Sequence, residues 1–330
     1  MNKNHFITVS LCVYNGAIFI EQTLESLNNQ TCKDFSLLIV DDGSTDNTAA
    51  LVEKYRNCGW RNFELISMLE NRGTAYCRDF ALRHVTTPLM MFFDADDIAK
   101  PELVEKLFNK INSDDSLIAV SCYCNYMDSK GNPLNGGLYL GPKSKDEFLA
   151  KAESGKMMFM LPPTLFKREY AIKAGGYRQA EWFPVGKIRY QDQSEDVDLW
   201  GRMSDFYTEG KWMVTIPEVL FLYRKNTFSL STGFAPAKVM GQKLMYIKEN
   251  QKRRRAHLPE LKFQEYWDSL SLWRKLQFER QNRGAYYYRQ ACFAWVNKKI
   301  FRCAWYLGWG CLFAPLYPLE KYNANFRKKN

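Results

Sequence analysis

Two short acidic stretches hold the residue types best able to do chemistry, Asp41-Asp42-Gly43-Ser44-Thr45-Asp46 and Asp94-Ala95-Asp96-Asp97. Carboxylates two apart at a strand end can share a hard divalent cation, which takes oxygen ligands and fills its shell with water or phosphate oxygens. Such a cation neutralises charge on a departing diphosphate. The same acids also suit the start of a helix near Pro101, where proline and negative charge are both favourable. In the earlier stretch, an acid fixed at a strand end can accept an imide N–H such as that of uracil, while Gly43-Ser44 opens the next helix. Taken alone, Asp-Gly-Ser is more often a simple turn. A third group, Glu195-Asp196-Val197-Asp198, can supply a general base when burial or nearby acids raise a carboxylate pKa, or can merely favour a helix N-terminus.

Groups this far apart in sequence need a scaffold that gathers them. Branched apolar residues alternate over Ile7–Val13, which predicts a strand, and Ile20, Leu24 and Leu27 then recur at helical spacing. Apolar runs at Phe35–Val40, Phe63–Met68 and Leu89–Phe93 alternate with helical patterns at Thr45–Arg56 and Arg72–His84. This rhythm predicts an α/β fold with a mostly parallel central sheet and helices on both faces. Ligands bind such sheets beyond the carboxyl ends of the strands, where Asp41, Asp42, Asp94, Asp96 and Asp97 are expected to converge. Further on, a helix is expected from Pro101 to about Asn112, a strand at Ile118–Tyr123, a turn at Asp128–Pro133 and a strand at Pro162–Phe166. Helices are expected at Lys167–Ala174 and Glu195–Tyr207, and a helical tail from about Lys238.

The charge is unevenly placed. Of the net +10, the residues from Gln251 onward carry 17 Lys and Arg against 5 Asp and Glu, so the first 250 residues come to −2. A basic tail of this kind points to an anionic partner. Nine cysteines without paired Cys-x-x-Cys spacing fit a reduced compartment, and the N-terminus shows no separate apolar signal region, so the chain is expected to be unexported and cytoplasmic. His5, His84 and His257 lack metal-ligand spacing. The first strand is not followed by Gly-x-Gly-x-x-Gly, which argues against a dehydrogenase.

The motifs in their chain order resemble those of the family 2 glycosyltransferases, inverting enzymes with the nucleotide-sugar-binding fold called GT-A. The resemblance runs through Tyr14-Asn15-Gly16, Asp41–Asp46, Asn71-Arg72-Gly73, Asp94–Asp97 and Glu195-Asp196-Val197-Asp198-Leu199-Trp200, and covers residues 6 to 225. It implies a nucleotide-sugar donor, here expected to be a UDP-sugar, a saccharide or lipid-linked saccharide acceptor, and Mg²⁺ or Mn²⁺. By the same resemblance Asp42 contacts the base, Tyr14 lies against the nucleotide, and Asp94 and Asp96 serve ribose and metal, with Asp97 a further metal ligand. Arg78, seven after Asn71, matches an arginine near the donor, and Asp196 is the catalytic base. Glu195 and Trp182 are expected on the acceptor side, Trp182 either stacking on a sugar's apolar C–H face or plugging its loop. Two positions depart from the pattern: Asp79 stands where Asn is common, and in Tyr223-Arg224-Lys225-Asn226 the last residue stands where His is common.

The expected division is a catalytic domain over 1–235 and a basic, aromatic helical extension over 236–330. From Cys303 to Leu319 there are 17 uncharged residues broken by Gly308, Gly310, Pro315 and Pro318. That suits a segment lying at an anionic membrane surface better than a crossing, with Lys298, Lys299, Arg302 and Arg327-Lys328-Lys329 beside it. Packing as an appendage is the plain alternative. Two rivals stand against the transferase reading. A non-catalytic nucleotide-sugar binder would keep the fold, and a nucleic-acid binder would use Lys252-Arg253-Arg254-Arg255, although an acid-lined sheet edge argues against it.

Overall fold

The computed structural model describes residues 6–60, 62–186, 188–225, 234–296 and 298–317. Strand β1 (Ile7–Val13) leads through helix α1 (Ile20–Asn28) to β2 (Ser36–Asp41), and α2 (Thr48–Lys54) leads to β3 (Asn62–Ser67). Then come α3 (Thr74–His84), β4 (Leu89–Phe92), the short β5 (Ile98–Ala99), α4 (Leu103–Ile111), β6 (Leu117–Met127) and β7 (Pro133–Leu138). After α5 (Lys145–Glu153), β8 (Thr164–Lys167), α6 (Arg168–Lys173) and α7 (Glu195–Met203), the long strand β9 (Trp212–Arg224) completes the sheet.

Strands β3, β2, β1 and β4 are parallel neighbours, and β6 pairs β9 in parallel. Antiparallel joints at β8, β7 and β5 complete a mixed sheet in the order β3-β2-β1-β4-β8-β6-β9-β5, with β7 on β6. Burial explains the sequence pattern. Every residue of β2 and β4 is buried, so their runs are continuously apolar, as expected for strands covered on both faces. Helix α4 buries Leu103, Val104, Leu107 and Ile111, an i, i+1, i+4, i+8 stripe. Helix α5 is capped by Ser144, whose Oγ accepts the Glu147 N–H (3.1 Å), while the Glu147 carboxylate accepts the Lys143 N–H (2.9 Å).

Helix α8 (Phe234–Arg255), α9 (Phe263–Ser269), α10 (Leu272–Val296) and α11 (Ile300–Phe313) follow the sheet. The chain falls into two compact units, Met1–Thr227 with Ile247–Glu260, and Phe228–Tyr246 with Leu261–Asn330. The division therefore differs from one at residue 235, because the end of α8 belongs with the sheet. Arg254 and Arg255 both bond the Asp205 carboxylate (2.7 and 2.8 Å), Arg255 also donates to the Ala152 carbonyl, and Arg253 donates to the Pro259 carbonyl (2.7 Å). Most of the basic run is thus committed to internal partners rather than presented as a patch.

In the second unit, α10 and α11 pair. Cys303 and Gly310 are buried along the seam, and the Tyr287 ring stacks with those of Tyr306 (6.3 Å) and Phe313 (5.8 Å). Among the described residues no helix is long and apolar enough to cross a membrane. The end of the uncharged stretch from Pro318, and Arg327-Lys328-Lys329, lie outside the described residues.

Candidate active site

The parallel strands deliver their motifs to one edge. Past β1, the loop Tyr14-Asn15-Gly16 is stitched to the loop past β2: Asn15 Oδ1 accepts the Thr45 N–H (2.8 Å), Ser44 Oγ accepts the Asn15 N–H (2.9 Å), and Thr48 Oγ1 accepts the Gly16 N–H (2.9 Å). Asn15 takes a left-handed φ of 50° to do this. Tyr14 is left 49% exposed, with its ring available to a ligand. Asp42 is buried, and its two carboxylate oxygens accept the backbone N–H groups of Arg72 (2.7 Å) and Gly73 (2.8 Å). It therefore fixes the Asn71-Arg72-Gly73 loop at the start of α3, using one lone pair on each oxygen.

The acidic loop past β4 is held from both sides. Asp97 is 2% exposed and accepts the Arg224 N–H (2.8 Å), while β5 pairs with Phe221 and Leu222 of β9. The buried Arg224 guanidinium donates to the Asp96 carbonyl (2.6 Å) and to Gln22 Oε1 (2.8 Å). Burial, then the neighbouring Asp94, pushes the Asp96 carboxyl up to about 6. Burial, then Asp94 and Asp96, also pushes Asp97 well above the carboxylate range. Crowded acids of this kind hold a negative potential that a cation relieves. Among the described residues no three His, Cys, Asp or Glu side chains converge to enclose a metal by themselves. The donor set of Asp96 with Asp94 nonetheless fits a magnesium-like ion, which takes one or two carboxylates and leaves the rest of its shell to phosphate and water.

Arg78 joins this loop to α7. It is buried in α3, donates to Asp94 Oδ1 (2.8 Å) and to Glu195 Oε1 (2.9 Å), and lies 5.5 Å from the centroid of the Phe92 ring. Burial opposes its charge, but Glu195 and Asp94 outweigh that and hold the guanidinium protonated. Glu195 is consequently a buried partner of Arg78. Asp196, partly exposed at the start of α7, accepts its neighbour Val197's N–H (2.7 Å) and contributes to the field on Arg78 and Tyr177. Asp198 turns the other way: it is 2% exposed, pairs with Arg202 (2.8 Å) and lies 3.5 Å from Arg178.

Trp182 lies in a short 3₁₀ turn with the Arg178 guanidinium 4.2 Å from its ring centroid, so one face is already covered. It borders a cavity of about 220 Å³ lined also by Asp79, Arg83, Gln179 and Glu181. Asp79 accepts the Tyr177 N–H (2.8 Å) and bonds Arg83, thereby holding the Gly175-Gly176 turn; an Asn oxygen could accept the same N–H. Asn226 lies outside the described residues.

Sequence reasoning did not single out Asp192, whose Oδ1 accepts the Ala75 N–H (2.9 Å) at the start of α3, or the buried Tyr177. It also missed Tyr223, whose hydroxyl is pushed up by burial and by Asp94, Asp97 and Asp96. For Asp192 no sequence signal exists; Tyr223 was named only as part of the motif Tyr223-Arg224-Lys225-Asn226, with no role of its own.

The profile of the family described as "Glycosyl transferase family 2" matches residues 8–173, half of the chain. A segment of 119 residues is 39% identical to the teichoic acid poly(glycerol phosphate) polymerase of Staphylococcus epidermidis, covering 36% of this chain but only 16% of that protein. An uncharacterized glycosyltransferase of Haemophilus influenzae is 26% identical over 225 residues, 68% of this chain and 67% of its own. Among solved structures, S. aureus TarS 1-349 in complex with UDP-GlcNAc superposes with a TM-score of 0.55 at 15% identity, covering 92% of this chain and 90% of that one. The mannosyltransferase PcManGT from Pyrobaculum calidifontis, in complex with GDP-Man and Mn²⁺, gives 0.54 at 19% identity, covering 97% and 80%. These structural likenesses carry the GT-A fold.

Proposed function

The chain belongs to glycosyl transferase family 2 and is a glycosyltransferase, and from that premise we propose that it moves a sugar from a UDP-sugar to a hydroxyl of a saccharide or lipid-linked saccharide with inversion. The observation that carries this reading is the Arg78 bridge, which holds Asp94 of the acidic loop on one side and, 117 positions further along from Arg78, Glu195 on the other. It sets the donor-side carboxylates and the N-terminus of α7 on two sides of one group. The nucleotide ligands of the neighbouring structures, UDP-GlcNAc and GDP-Man, support a nucleotide-sugar donor.

In this reading Tyr14 and the Asp42-held loop border the nucleotide, and Arg78 keeps Asp94 oriented. Asp96 with Asp94 would hold a Mg²⁺ or Mn²⁺ ion, which when bound neutralises the diphosphate. Asp97 keeps the loop on β9 through Oδ1 and would be a further ligand. Asp196 accepts the proton of the acceptor hydroxyl as its oxygen attacks the anomeric carbon from the face opposite the diphosphate. Trp182 offers its uncovered face to the acceptor, and Glu195 holds Arg78 beside it.

A donor screen measuring nucleotide release with Mn²⁺ or Mg²⁺ tests the activity and separates an enzyme from a binder. Asp196→Asn is then expected to bind donor normally and to transfer roughly a hundredfold to ten-thousandfold more slowly. Unchanged transfer would remove Asp196 as the base.

An anionic lipid surface is the second partner in this proposal. Phe301 (93% exposed), Trp305 (65%) and Leu312 (67%) lie off the α10 seam, and the exposed Lys298, Lys299 and Arg302 stand at the N-terminal end of α11. Aromatic and aliphatic side chains beside lysines complement acyl chains under anionic headgroups. Co-sedimentation with phosphatidylglycerol vesicles at low salt should capture the native chain and release a Phe301→Ser/Trp305→Ser variant. Equal binding by the variant, or none by the native chain, refutes this partner.

A further inference from the structure

The motif Tyr223-Arg224-Lys225-Asn226 leaves one cation that the proposed mechanism does not use. Lys225 follows β9 directly, and its backbone N–H donates to the Met127 carbonyl (2.8 Å). Two positions before it stands Tyr223, on the same face of the strand, and opposite Tyr223 in the β6–β9 register stands Tyr126. The Lys225 ammonium lies 4.4 Å from the Tyr126 ring centroid and 4.6 Å from that of Tyr223, and the two rings meet edge to face at 6.1 Å. Among the described residues no carboxylate forms an ion pair with it. Two ring faces steer this charge while leaving its three donors unspent.

The location gives the charge a task. Arg224, one residue earlier, donates its N–H to Asp97 (2.8 Å), so the ammonium stands at the border of the acidic loop. Tyr223 feels the charges of Asp94, Asp97 and Asp96. Burial draws the Lys225 ammonium below its ordinary range, with Asp97 working the other way. Lys225 is exposed, and an ammonium held on aromatic faces beside an acidic edge is suited to an anion that reaches that edge.

We infer that Lys225 is a phosphate-binding residue, its ammonium contacting the donor diphosphate and the nucleoside diphosphate left after transfer. The inference rests on the nucleotide-sugar reading above and deepens it.

Calorimetric titration with UDP, GDP and uridine, at a fixed Mn²⁺ concentration, tests it on the full chain. Lys225→Met should weaken UDP binding on the order of tenfold to a hundredfold, the size of one charge-assisted contact, and leave uridine affinity unchanged. Lys225→Arg should recover part of the UDP affinity. A merely structural lysine would lower the melting temperature and weaken both ligands alike. If Lys225→Met binds UDP as the native chain does, the inference fails alone. If the native chain binds neither UDP nor GDP, the nucleotide-sugar reading fails and the inference with it.

Discussion

Replacing Arg78 with methionine removes the charge that joins the two halves of the site while nearly preserving side-chain volume. The Arg78 and Glu195 side chains are 8% and 9% exposed, so the bridge is shielded from solvent, and Glu195 is left behind as a buried carboxylate without that cation. Breaking a buried pair by removing one partner costs about 3–5 kcal/mol. For a unit of this size that corresponds to a fall in Tm on the order of 10 °C. The pH dependence is the sharper signature. Without Arg78, the Glu195 carboxyl should titrate above its unfolded value, so the folded state holds the extra proton. Stability of the variant should then fall as pH rises from about 4.5 through the raised pKa. The native chain keeps Arg78 protonated over the same range. Circular dichroism melts at pH 5, 6, 7 and 8 should show the Arg78→Met deficit shrinking toward pH 5, with Arg78→Lys between the two. A Tm within about 2 °C of native at pH 8, or a deficit independent of pH, would refute the reasoning.

Three further outcomes follow from the site. Because the Asp96 carboxyl is pushed up to about 6, Mn²⁺ affinity measured by titration should fall as pH drops through 6, and Asp96→Asn should be more thermostable than the native chain in EDTA but not in Mn²⁺. Gly43 has φ +71° and an added Cβ would lie 2.8 Å from the Glu70 backbone, whereas Gly59, at φ +84°, has nothing within 4 Å. Gly43→Ala should therefore lose more in chemical denaturation than Gly59→Ala, which carries only the conformational cost of about 1–2 kcal/mol. Asp79→Asn keeps an acceptor for the Tyr177 N–H and should melt near the native Tm, whereas Asp79→Ala should lose about 1–3 kcal/mol.

The parallel half of the sheet was legible because its strands are covered on both faces, so β2 and β4 read as unbroken apolar runs ending in acids. Helices came out shorter than expected where loops needed their first residues: Ser44 and Thr45 bond the Tyr14-Asn15-Gly16 loop, and Arg72 and Gly73 donate to Asp42, so α2 starts at Thr48 and α3 at Thr74. Strand β9 was missed because Pro217 and Glu218 interrupt its apolar run, at a place where the β6–β9 register shifts. Strand β7, mostly exposed and carrying Gly136 and Gly137, gives no periodic signal. At the site, residue types marked Asp94, Asp96 and Asp196, but not which partner each would face. Glu195, Asp196 and Asp198 are near neighbours in sequence, and the turn of α7 sends Asp198 to Arg178 and Arg202 and Glu195 to Arg78.

The long reach of β9 sets when a newly made chain can work. By the time Asp97 has been synthesised every donor-side carboxylate exists, yet the acidic loop gains its β-sheet partner only when Phe221 and Leu222 arrive, and its buried anchor only with Arg224. Contacts this distant in sequence form late and slowly. The acids therefore wait through the 127 positions from Asp97 to Arg224 without these partners, and transfer chemistry is withheld until the last strand of the sheet is laid down.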